Sequence, residues 1–501
     1  MKQPKEFNKT SFMSYIDVPY IFVGAGLSTL SCITKLTSSG VKKDDLLILE
    51  AVDYVGGRIK TTEAKYEIGA SWLHDSLDNQ VFDYMLENDM IEVHQMDDVA
   101  NWESTDKVKA FLDDSSKVLI HNGVNVTNHH LLRLEVLLEE FEKYVENYFF
   151  EEENVDKDPS LRTMFFEYIK DRASKKLFTE RNHHQLTLLS LLARYVETWH
   201  GISWDCLSAK YAFLHSLGQN ILCFGLSNFT RSLAKDIKID FNTPVVNIKK
   251  EKGKYIINDK YSTNNCIISS PLSAVKSINF ENNLLSENMK ASLDKVHYGA
   301  LGKLFVEFDL DFDFHNTRLY HLGNASVADQ DTIKAILASP KDFETSTLKN
   351  PAQKVSFKNV FDWPMLVVNT QKTLGKPVLQ ILTQEPVTSF IEKNVKQGDI
   401  EFIKSLLENI QKHLYSKENI KKYNVLNVLV SGWTQNEYQR GSYPACYPGD
   451  DPIDITIQSS LQNESSKLKF IGEYTNLEGC GSMNGAWLSG IECAEKLMEN
   501  I

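Results

Sequence analysis

The first residues of this chain that could bind a ligand through their backbone form a glycine turn. Residues 20–30 read YIFVGAGLSTL, an apolar run followed by the turn and by the start of a helix-periodic segment. Gly24 and Gly26 permit a tight turn and let backbone N–H groups approach a pyrophosphate, which the positive end of the helix also attracts. Thr29 replaces the third glycine of a G-x-G-x-x-G motif. We expect this β-branched side chain to push the helix slightly outward.

A carboxylate stands where a dinucleotide-binding unit needs one. The second apolar run, DLLILE, ends in Glu50. A carboxylate there can accept hydrogen bonds from both hydroxyls of an adenosine ribose, and it would repel the 2′-phosphate of an NADP-type nucleotide. Taken alone, Glu50 would be interpreted as a solvated residue at the end of a strand, so the glycine turn and the carboxylate support each other.

Two further glycine-rich segments favour FAD over NAD. A pair of glycines ends at Gly57 and is followed by Arg58, whose guanidinium can pair with phosphate. Near the end of the chain, Glu473 closes an apolar run, and the glycine-rich residues 479–485 lead into a helix. The N-terminus of that helix could lie near flavin N1 and O2, where negative charge develops on reduction.

The elements that must position these residues stand at both ends of the chain. Helices are predicted over 131–149, 161–178, 185–200 and 399–415, and strands over 303–312, 377–383, 425–433 and 467–475. We expect an α/β fold of two interleaved domains (α+β). Residues 17–80, 218–292 and 430–501 would form a discontinuous Rossmann-like FAD-binding domain, and 81–217 and 293–429 a substrate-binding domain of mixed sheet and helices. Residues 1–16 are predicted to be disordered.

Composition and charge exclude several classes of partner. The chain has 501 residues and a formal net charge of −13, which argues against nucleic acid and favours a cationic substrate. The seven cysteines are scattered, which indicates reduced thiols and no metal site. The start lacks the apolar core of a signal peptide, and no apolar run is long enough to cross a bilayer. We therefore expect a cytoplasmic protein with no membrane partner.

Seven segments resemble those of a known family. In this order along the chain they are similar to the flavin amine oxidases, and most closely to fungal polyamine (spermine) oxidases: VGAGLSTL, ILEAVDYVGGR, YEIGASWLHD, RYVETWHGISW, YGALGK, SGWTQNEYQRGSYPACYPGDDP and GEYTNLEGCGSMNGAW. The resemblance runs from about Pro19 to the C-terminus, and SWLHD, GALGK and ACYPGDDP are much more specific than the glycine turn. It implies a p-hydroxybenzoate hydroxylase/amine oxidase-like fold that binds FAD.

The resemblance also implies an activity. Family members pass hydride from the carbon beside an amine nitrogen to flavin N5, and O2 then reoxidises the flavin and gives H2O2. The imine hydrolyses to an aldehyde and a shorter amine. In the polyamine branch the substrate is spermine or an N-acetylated polyamine, and spermine yields spermidine and 3-aminopropanal. The preferred polyamine, the bond that is cut, and whether the protein is a monomer or a homodimer stay open.

Two residues are expected to be catalytic by this resemblance. Lys303, in GALGK, matches the lysine that holds a water near flavin N5. Its strand pattern disagrees, because alternation places Lys303 on one face with Glu307 and Asp309 and thus indicates a surface lysine. His74, in SWLHD, matches a substrate-facing histidine that can hydrogen-bond an amine nitrogen.

Other residues are expected to line the substrate path or hold the flavin. Tyr443 and Trp199 match aromatic walls, Leu301 would lie beside Lys303, and Glu197 is a candidate substrate carboxylate because of its position next to Trp199. Besides the glycine turn, Glu50, Gly57, Arg58 and Glu473, the resemblance implies that these residues contact FAD: Ala25, Leu27, Gly69, Ala70, Ser71, Trp72, Val245, Trp433, Cys480, Gly481, Ser482 and Met483.

The chain departs from the family pattern at four places. Thr29 is the first. In residues 214–218, LHSLG, either His215 has shifted by one position or Ser216 replaces a substrate-facing histidine. Asn484 occupies an aromatic position. Ser442 stands where monoamine oxidases carry a cysteine that attaches flavin covalently, so we expect non-covalent FAD.

Two kinds of alternative function remain: another flavin-dependent oxidase, or an FAD-binding protein that is not an enzyme. Lysine demethylases share the core but add a long coiled-coil insertion, and no heptad run of that length is present. A monoamine-type oxidase is a second alternative. L-Amino-acid oxidases need an arginine for the carboxylate, and no candidate stands out. The departures could also have disabled the site, leaving an FAD-binding protein without catalysis.

Overall fold

A computed structural model gives the fold of most of the chain. It describes residues 15–95, 98, 102, 106–112, 118–121, 124–126, 128–154, 156–213, 219–281, 283–312, 318–348, 355–356, 358–395, 424–477 and 479–499. The predicted helix over 399–415, Ser216 with its neighbours, and all but the last two of residues 1–16 lie outside these ranges. Within them, no helix is both long and apolar enough to cross a bilayer.

A five-stranded parallel sheet joins the two ends of the chain. Its strands, in spatial order, are Lys238–Asp240, Leu46–Leu49, Tyr20–Val23, Asn265–Ile268 and Leu468–Phe470. The three inner strands are apolar along almost their whole length, as expected for a sheet that is covered on both faces. Helix Leu27–Ser38 packs along the C-terminal helix Met483–Met498 over one face. The predicted βαβ unit and the Rossmann-like character are confirmed.

Thr29 is accommodated inside this unit. Its side chain is fully buried, and Oγ1 donates a 2.7 Å hydrogen bond to the carbonyl of Gly24. The hydroxyl therefore ties the first turn of the helix to the glycine turn, a contact that glycine could not make.

A second sheet system lies in the intervening sequence. The seven-stranded sheet has the order Val425–Val430, Gly302–Phe308, Val378–Thr383, Met365–Asn369, Arg318–His321, Val118–His121 and Val124–Asn125. Smaller sheets consist of Trp72–Leu73, Ile221–Phe224, Val108–Leu112 and Ile91–His94; of Ile16–Asp17, Tyr261–Thr263, Lys254–Ile257, Asn247–Glu251 and Asn279–Phe280; and of His297–Tyr298 with Pro444–Ala445. The division into two domains at the predicted boundaries stays a prediction.

Helices surround these sheets. The longer ones are Gln80–Glu87, Asn128–Phe150, Leu161–Ser174, His183–Ala193, Leu226–Leu233, Glu287–Leu293, Val327–Ala338, Val387–Asn394 and Pro452–Ser465. Single turns are Leu272–Val275, Gln371–Leu374 and Glu197–His200. Short 3₁₀ segments are Lys43–Asp45, Glu152–Asn154, Glu180–Asn182, Arg194–Val196, Ala209–Tyr211, Thr345–Thr347, Val360–Asp362, Trp433–Gln435 and Glu473–Thr475.

The helix predicted over 185–200 is interrupted. The α-helix ends at Ala193 and gives way to a 3₁₀ turn before helix Glu197–His200. Side chains three residues apart eclipse in a 3₁₀ turn. The turn thus brings Arg194 and Glu197 together in a buried ion pair at 3.0 Å.

Candidate functional site

One cavity of about 490 Å³ runs past the carboxyl ends of the parallel strands. Segments from both ends of the chain line it: 23–28, 49–51, 56–59, 68–72, 243–246, 269–271 and 481–483. In an open parallel sheet, ligands bind at this edge because the loops there are free to form a crevice. The cavity continues from the glycine turn to Lys303, Trp433 and Tyr443.

The glycine turn forms one end of the cavity. Gly24 has φ +103°, and a side chain there would lie 3.3 Å from the carbonyl oxygen of Ser269. Helix Leu27–Ser38 begins at Gly26 with no side chain capping its first N–H groups. An uncapped helix N-terminus that faces a cavity is suited to an anion such as pyrophosphate.

Glu50 borders the same end and also supports the turn. Its Oε2 accepts from the N–H of Ala25 at 2.6 Å, and its Oε1 accepts from the N–H of Val52 at 3.0 Å. Burial raises the pKa of Glu50, and these backbone donors oppose the shift. The sequence pattern indicated the ribose position and did not reveal that the carboxylate also holds the glycine turn.

Arg58 is paired with a carboxylate inside the protein. Its NH1 and NH2 donate to Oε1 and Oε2 of Glu473 at 2.7 and 2.8 Å, and NH1 also donates to the Ser442 carbonyl at 2.9 Å. Burial acts to lower the pKa of Arg58, but the negative charge of Glu473 outweighs it and raises that pKa. Both terminal nitrogens of the guanidinium, which was expected to be able to pair with phosphate, thus bond Glu473, and the contact of Arg58 with FAD stays a prediction. Both residues still line the cavity.

Lys303 lies at the opposite end of the cavity. Its side chain is only 6% exposed. Nζ donates to the carbonyl of Glu67 at 3.0 Å, to the carbonyl of Gly69 and to Oγ of Ser71. The same nitrogen lies 5.2 Å from the centre of the Trp72 ring. These contacts fix the ammonium against the cavity wall.

The strand pattern had indicated a surface lysine, and that interpretation is wrong. Strand Gly302–Phe308 is an inner strand of the seven-stranded sheet, between Val378–Thr383 and the edge strand Val425–Val430. Both of its faces are covered, so alternation does not separate a wet face from a dry one. Glu307, on the same face, is half-buried and accepts a 2.6 Å hydrogen bond from the Tyr66 hydroxyl.

Aromatic side chains stand around this end. Trp433 is 5% exposed and its indole N–H donates to the carbonyl of Ile68 at 2.7 Å. Tyr443 lines the cavity, and its hydroxyl donates to the carbonyl of Trp199. Leu301 also lines the cavity, and its N–H donates to Oγ of Ser442 at 2.9 Å.

His74 lines the cavity beside Trp72. Its Nδ1 lies 3.0 Å from Oδ1 of Asn220. Desolvation by the surrounding protein lowers the pKa of His74, the hydrogen bond with Asn220 and the charge of Asp75 oppose this, and the charge of Arg318 lowers it further. The lowered pKa favours the neutral imidazole, which can hydrogen-bond an amine nitrogen without opposing its charge.

A family model matches almost the whole chain. The model for flavin containing amine oxidoreductase matches residues 27–498. The chain belongs to this family. The resemblance that the sequence motifs indicated is confirmed, and the family implies a flavin cofactor.

Three relatives are similar over nearly the whole of this chain. The corticosteroid-binding protein of Candida albicans is 32% identical, with 96% of each chain covered. Polyamine oxidase 4 of Oryza sativa is 22% identical over 96% of this chain and 88% of its own. The Arabidopsis thaliana lysine-specific histone demethylase 1 homolog 1 is 22% identical over 99% of this chain and 54% of its own.

The cavity of this flavin amine oxidoreductase fits the cofactor that the family implies. The uncapped helix start, the Gly24 cradle and Glu50 suit the nucleotide part. Of the other residues expected to contact FAD, all but Cys480 line the cavity: Ala25, Gly26, Leu27, Gly57, Arg58, Gly69, Ala70, Ser71, Trp72, Val245, Trp433, Glu473, Gly481, Ser482 and Met483. Cys480 precedes Gly481 directly and is half-buried.

Glu197 and Trp199 do not line the cavity. Glu197 is fully buried, pairs with Arg194 and accepts a 3.0 Å hydrogen bond from the N–H of Trp204. The carboxylate is committed to these internal partners, so the structure gives its assignment as a substrate carboxylate no support, and the assignment stays an untested prediction. Trp199 is 49% exposed, and its carbonyl accepts a hydrogen bond from the Tyr443 hydroxyl.

Asn484 makes two hydrogen bonds that an aromatic side chain could not make. Its Oδ1 accepts from the N–H of Gln80 at 3.0 Å, and its Nδ2 donates to the carbonyl of Asp78 at 3.2 Å. The amide therefore ties the last glycine loop to the start of helix Gln80–Glu87.

Sequence reasoning missed parts of the cavity wall. Ser269 and Ser270 line it after strand Asn265–Ile268, and Oγ of Ser269 lies 2.6 Å from Oγ of Ser28. Their place at the carboxyl end of a parallel strand was a usable signal. Residues 437–440 also line the cavity and carried no such signal.

Proposed function

We propose that this protein is an FAD-dependent polyamine oxidase that oxidises a C–N bond of spermine or of an N-acetylated polyamine. Spermine would give spermidine and 3-aminopropanal, and O2 would be reduced to H2O2. The observation that supports this most is the continuity of the cavity. One space connects a nucleotide-type glycine turn with Lys303, Trp433 and Tyr443.

In this proposal the chain holds FAD without a covalent bond. The glycine turn and the helix N-terminus face the pyrophosphate, Glu50 the ribose and Val245 the adenine. FAD supplies the hydride acceptor and passes the electrons to O2. Ser442 is 7% exposed, and its hydroxyl accepts from the N–H of Leu301. A serine so placed offers no thiol for covalent attachment.

The amine must be neutral at the nitrogen beside the carbon that loses hydride. Tyr443 and Trp433 desolvate that nitrogen, which favours the uncharged form. The neutral imidazole of His74 can hydrogen-bond it without adding charge. By the family resemblance, Lys303 would hold a water near the flavin that can accept or donate a proton, and one of its three N–H donors would turn from a protein acceptor to that water.

A peroxide assay tests the proposed function. Purified protein with FAD is mixed with spermine, N-acetylspermine or spermidine, and H2O2 and the aldehyde are measured. We expect peroxide in proportion to 3-aminopropanal or its acetylated counterpart. Absence of peroxide with all three amines would reject the proposal.

One observation favours a second candidate function. The relative that is 32% identical over 96% of the chain carries the name corticosteroid-binding protein. This chain could likewise bind an apolar ligand in its cavity. Saturable binding of a corticosteroid to the FAD-loaded protein, together with no peroxide from any polyamine, would favour that function over the first.

A further inference from the structure

Glu67 does not line the cavity, yet it belongs to the same small cluster as Lys303. Its carbonyl oxygen accepts the 3.0 Å hydrogen bond from Lys303 Nζ. The other two acceptors of Nζ are the carbonyl of Gly69 and the hydroxyl of Ser71. All three are neutral, so Lys303 is buried without a carboxylate in hydrogen-bond contact among the described residues. A buried ammonium in neutral surroundings requires charge compensation from nearby.

The carboxylate of Glu67, the residue whose carbonyl bonds Lys303, is buried, and only one of its two oxygens has hydrogen-bond partners among the described residues. The side chain is 0% exposed. Oε1 accepts from the Thr61 hydroxyl at 2.7 Å and from the N–H groups of Gly225 and Leu226 at 2.7 and 3.2 Å. Within the part of the chain that is described, Oε2 is buried and has no hydrogen-bond partner. A carboxylate in this state stays ionised only if a positive charge offsets it.

The charged groups around the pair leave Lys303 as the compensating cation. Arg58 is committed to Glu473. Lys376 pairs with Glu307 at 3.4 Å and donates to the Tyr66 hydroxyl. Arg318 lies 6.0 Å from the centre of the Trp72 ring, whereas Lys303 bonds the Glu67 residue directly. The Cys223 thiol also faces Glu67, but it is neutral, because burial and then the charge of Glu67 raise its pKa.

Burial and the charge of the partner shift the pKa of each group in opposite directions. Burial lowers the pKa of Lys303, and the charge of Glu67 opposes that shift. Burial raises the pKa of Glu67, and the Thr61 hydroxyl and the charge of Lys303 oppose it. Each group thus favours the ionised form of the other.

We propose that Glu67 and Lys303 ionise as one unit, in which Glu67 is a positioning residue that determines whether Lys303 presents an ammonium or a neutral amine to the cavity. The consequence for catalysis rests on the proposed oxidase function. The ionisation itself is a property of the protein and can be measured without flavin or turnover. Removal of the Glu67 charge makes Lys303 lose its proton at a lower pH.

The test is a pH titration of Lys303 in the full-length, flavin-free protein. Trace acetylation with acetic anhydride from about pH 6 to about pH 11, read by mass spectrometry at Lys303, gives the free-amine fraction. In Glu67→Gln we expect the midpoint to fall by about one pH unit or more. Glu307→Gln, which removes a carboxylate from the same strand, is the matched control and should leave the midpoint unchanged. Thr61→Val removes only one hydrogen bond to the Glu67 carboxylate. It should also lower the Lys303 midpoint, but by less than Glu67→Gln does.

A second measurement reports the same ionisation without acetylation. The free energy of urea unfolding is compared with and without Lys303→Met across this pH range. The pKa of Lys303 is depressed in the folded state. Above that pKa, the stability of the protein with Lys303 therefore rises with pH relative to that of the Lys303→Met protein. The rise should begin at lower pH in the Glu67→Gln background. Equal onsets and equal midpoints in the two backgrounds would overturn the proposal. If the Lys303 midpoint shifts in Glu67→Gln but the protein makes no peroxide from any polyamine, the shared ionisation stands and only the proposed oxidase function is rejected.

Discussion

At the scale of single residues, the burial of Lys303 determines whether its amine faces solvent or the cavity. The alternation of its strand indicated a solvent-facing side chain, whereas the family resemblance indicated a site lysine. The side chain is buried and lines the cavity, because the strand lies inside a sheet that is covered on both faces. The local sequence could not reveal this, since the covering residues come from distant segments. The position of the Glu67 carboxylate was unpredictable for the same reason.

Replacement of Lys303 tests its proposed role. In Lys303→Met we expect the turnover of spermine to fall by about a hundredfold or more, because the proton-exchanging water loses its holder. Lys376→Met is the control, since Lys376 donates to the Tyr66 hydroxyl and does not line the cavity. Retained FAD absorbance in both variants shows that the cofactor site is intact. Equal turnover in both variants would contradict the role.

Glu50 makes FAD binding sensitive to acid. Because burial raises the pKa of Glu50, its carboxylate is protonated in mild acid before an exposed glutamate would be. FAD affinity should therefore weaken as the pH falls through that raised pKa, and Glu50→Gln should weaken it by about tenfold at neutral pH. Equilibrium dialysis measures both effects. Asp240→Asn, at the end of the neighbouring strand, is the control; an equal loss there would argue against a ribose contact.

At the scale of elements, the packing of the first and last helices positions the cavity. Gly490 meets helix Leu27–Ser38 so closely that a Cβ would lie 2.1 Å from the carbonyl oxygen of Ser28. The Ser31 hydroxyl adds a 2.9 Å bond to the carbonyl of Trp487. These contacts connect the glycine turn to the last glycine loop.

Gly490→Ala should loosen this connection. Since the clash is with backbone, which cannot turn aside, we expect a loss of about 1–3 kcal/mol in the free energy of unfolding. Urea denaturation measures it, with the exposed Glu492→Ala in the same helix as the control. A Gly490→Ala protein as stable as Glu492→Ala would show that the helices do not pack this tightly.

Sequence periodicity predicted some elements and not others. The βαβ unit and the helices at 131–149 and 161–178 were predictable because their apolar spacing is local and sustained. Trp72–Leu73 and Arg318–His321 were not, since they are short and their partners lie far along the chain. The interruption of 185–200 reflects a buried ion pair that no periodicity encodes.

At the scale of the whole molecule, both ends of the chain build one cavity. Its lining runs from Val23 to Ala486. The motifs at the two ends predicted this assembly. The substrate end was less predictable, as Glu197 shows, because packing decides whether a carboxylate faces the cavity or an internal partner.

An assembly of this kind should be stabilised by its cofactor. FAD at about a hundred times its Kd should add about 3 kcal/mol to the free energy of unfolding, because FAD binds only the folded state. Urea titrations of flavin-free protein with FAD, and with riboflavin as the control that lacks the adenosine, measure this. Stabilisation by riboflavin equal to that by FAD would contradict a role for the glycine turn and Glu50.

The most direct measurement of the central claim is anaerobic mixing of the FAD-loaded protein with spermine while the flavin absorbance is recorded. We predict that the oxidised-flavin absorbance disappears without oxygen, returns when air is admitted, and is accompanied by one equivalent of H2O2 per turnover. An absorbance that persists in the presence of spermine and of N-acetylspermine would contradict the claim that this cavity presents FAD to a polyamine.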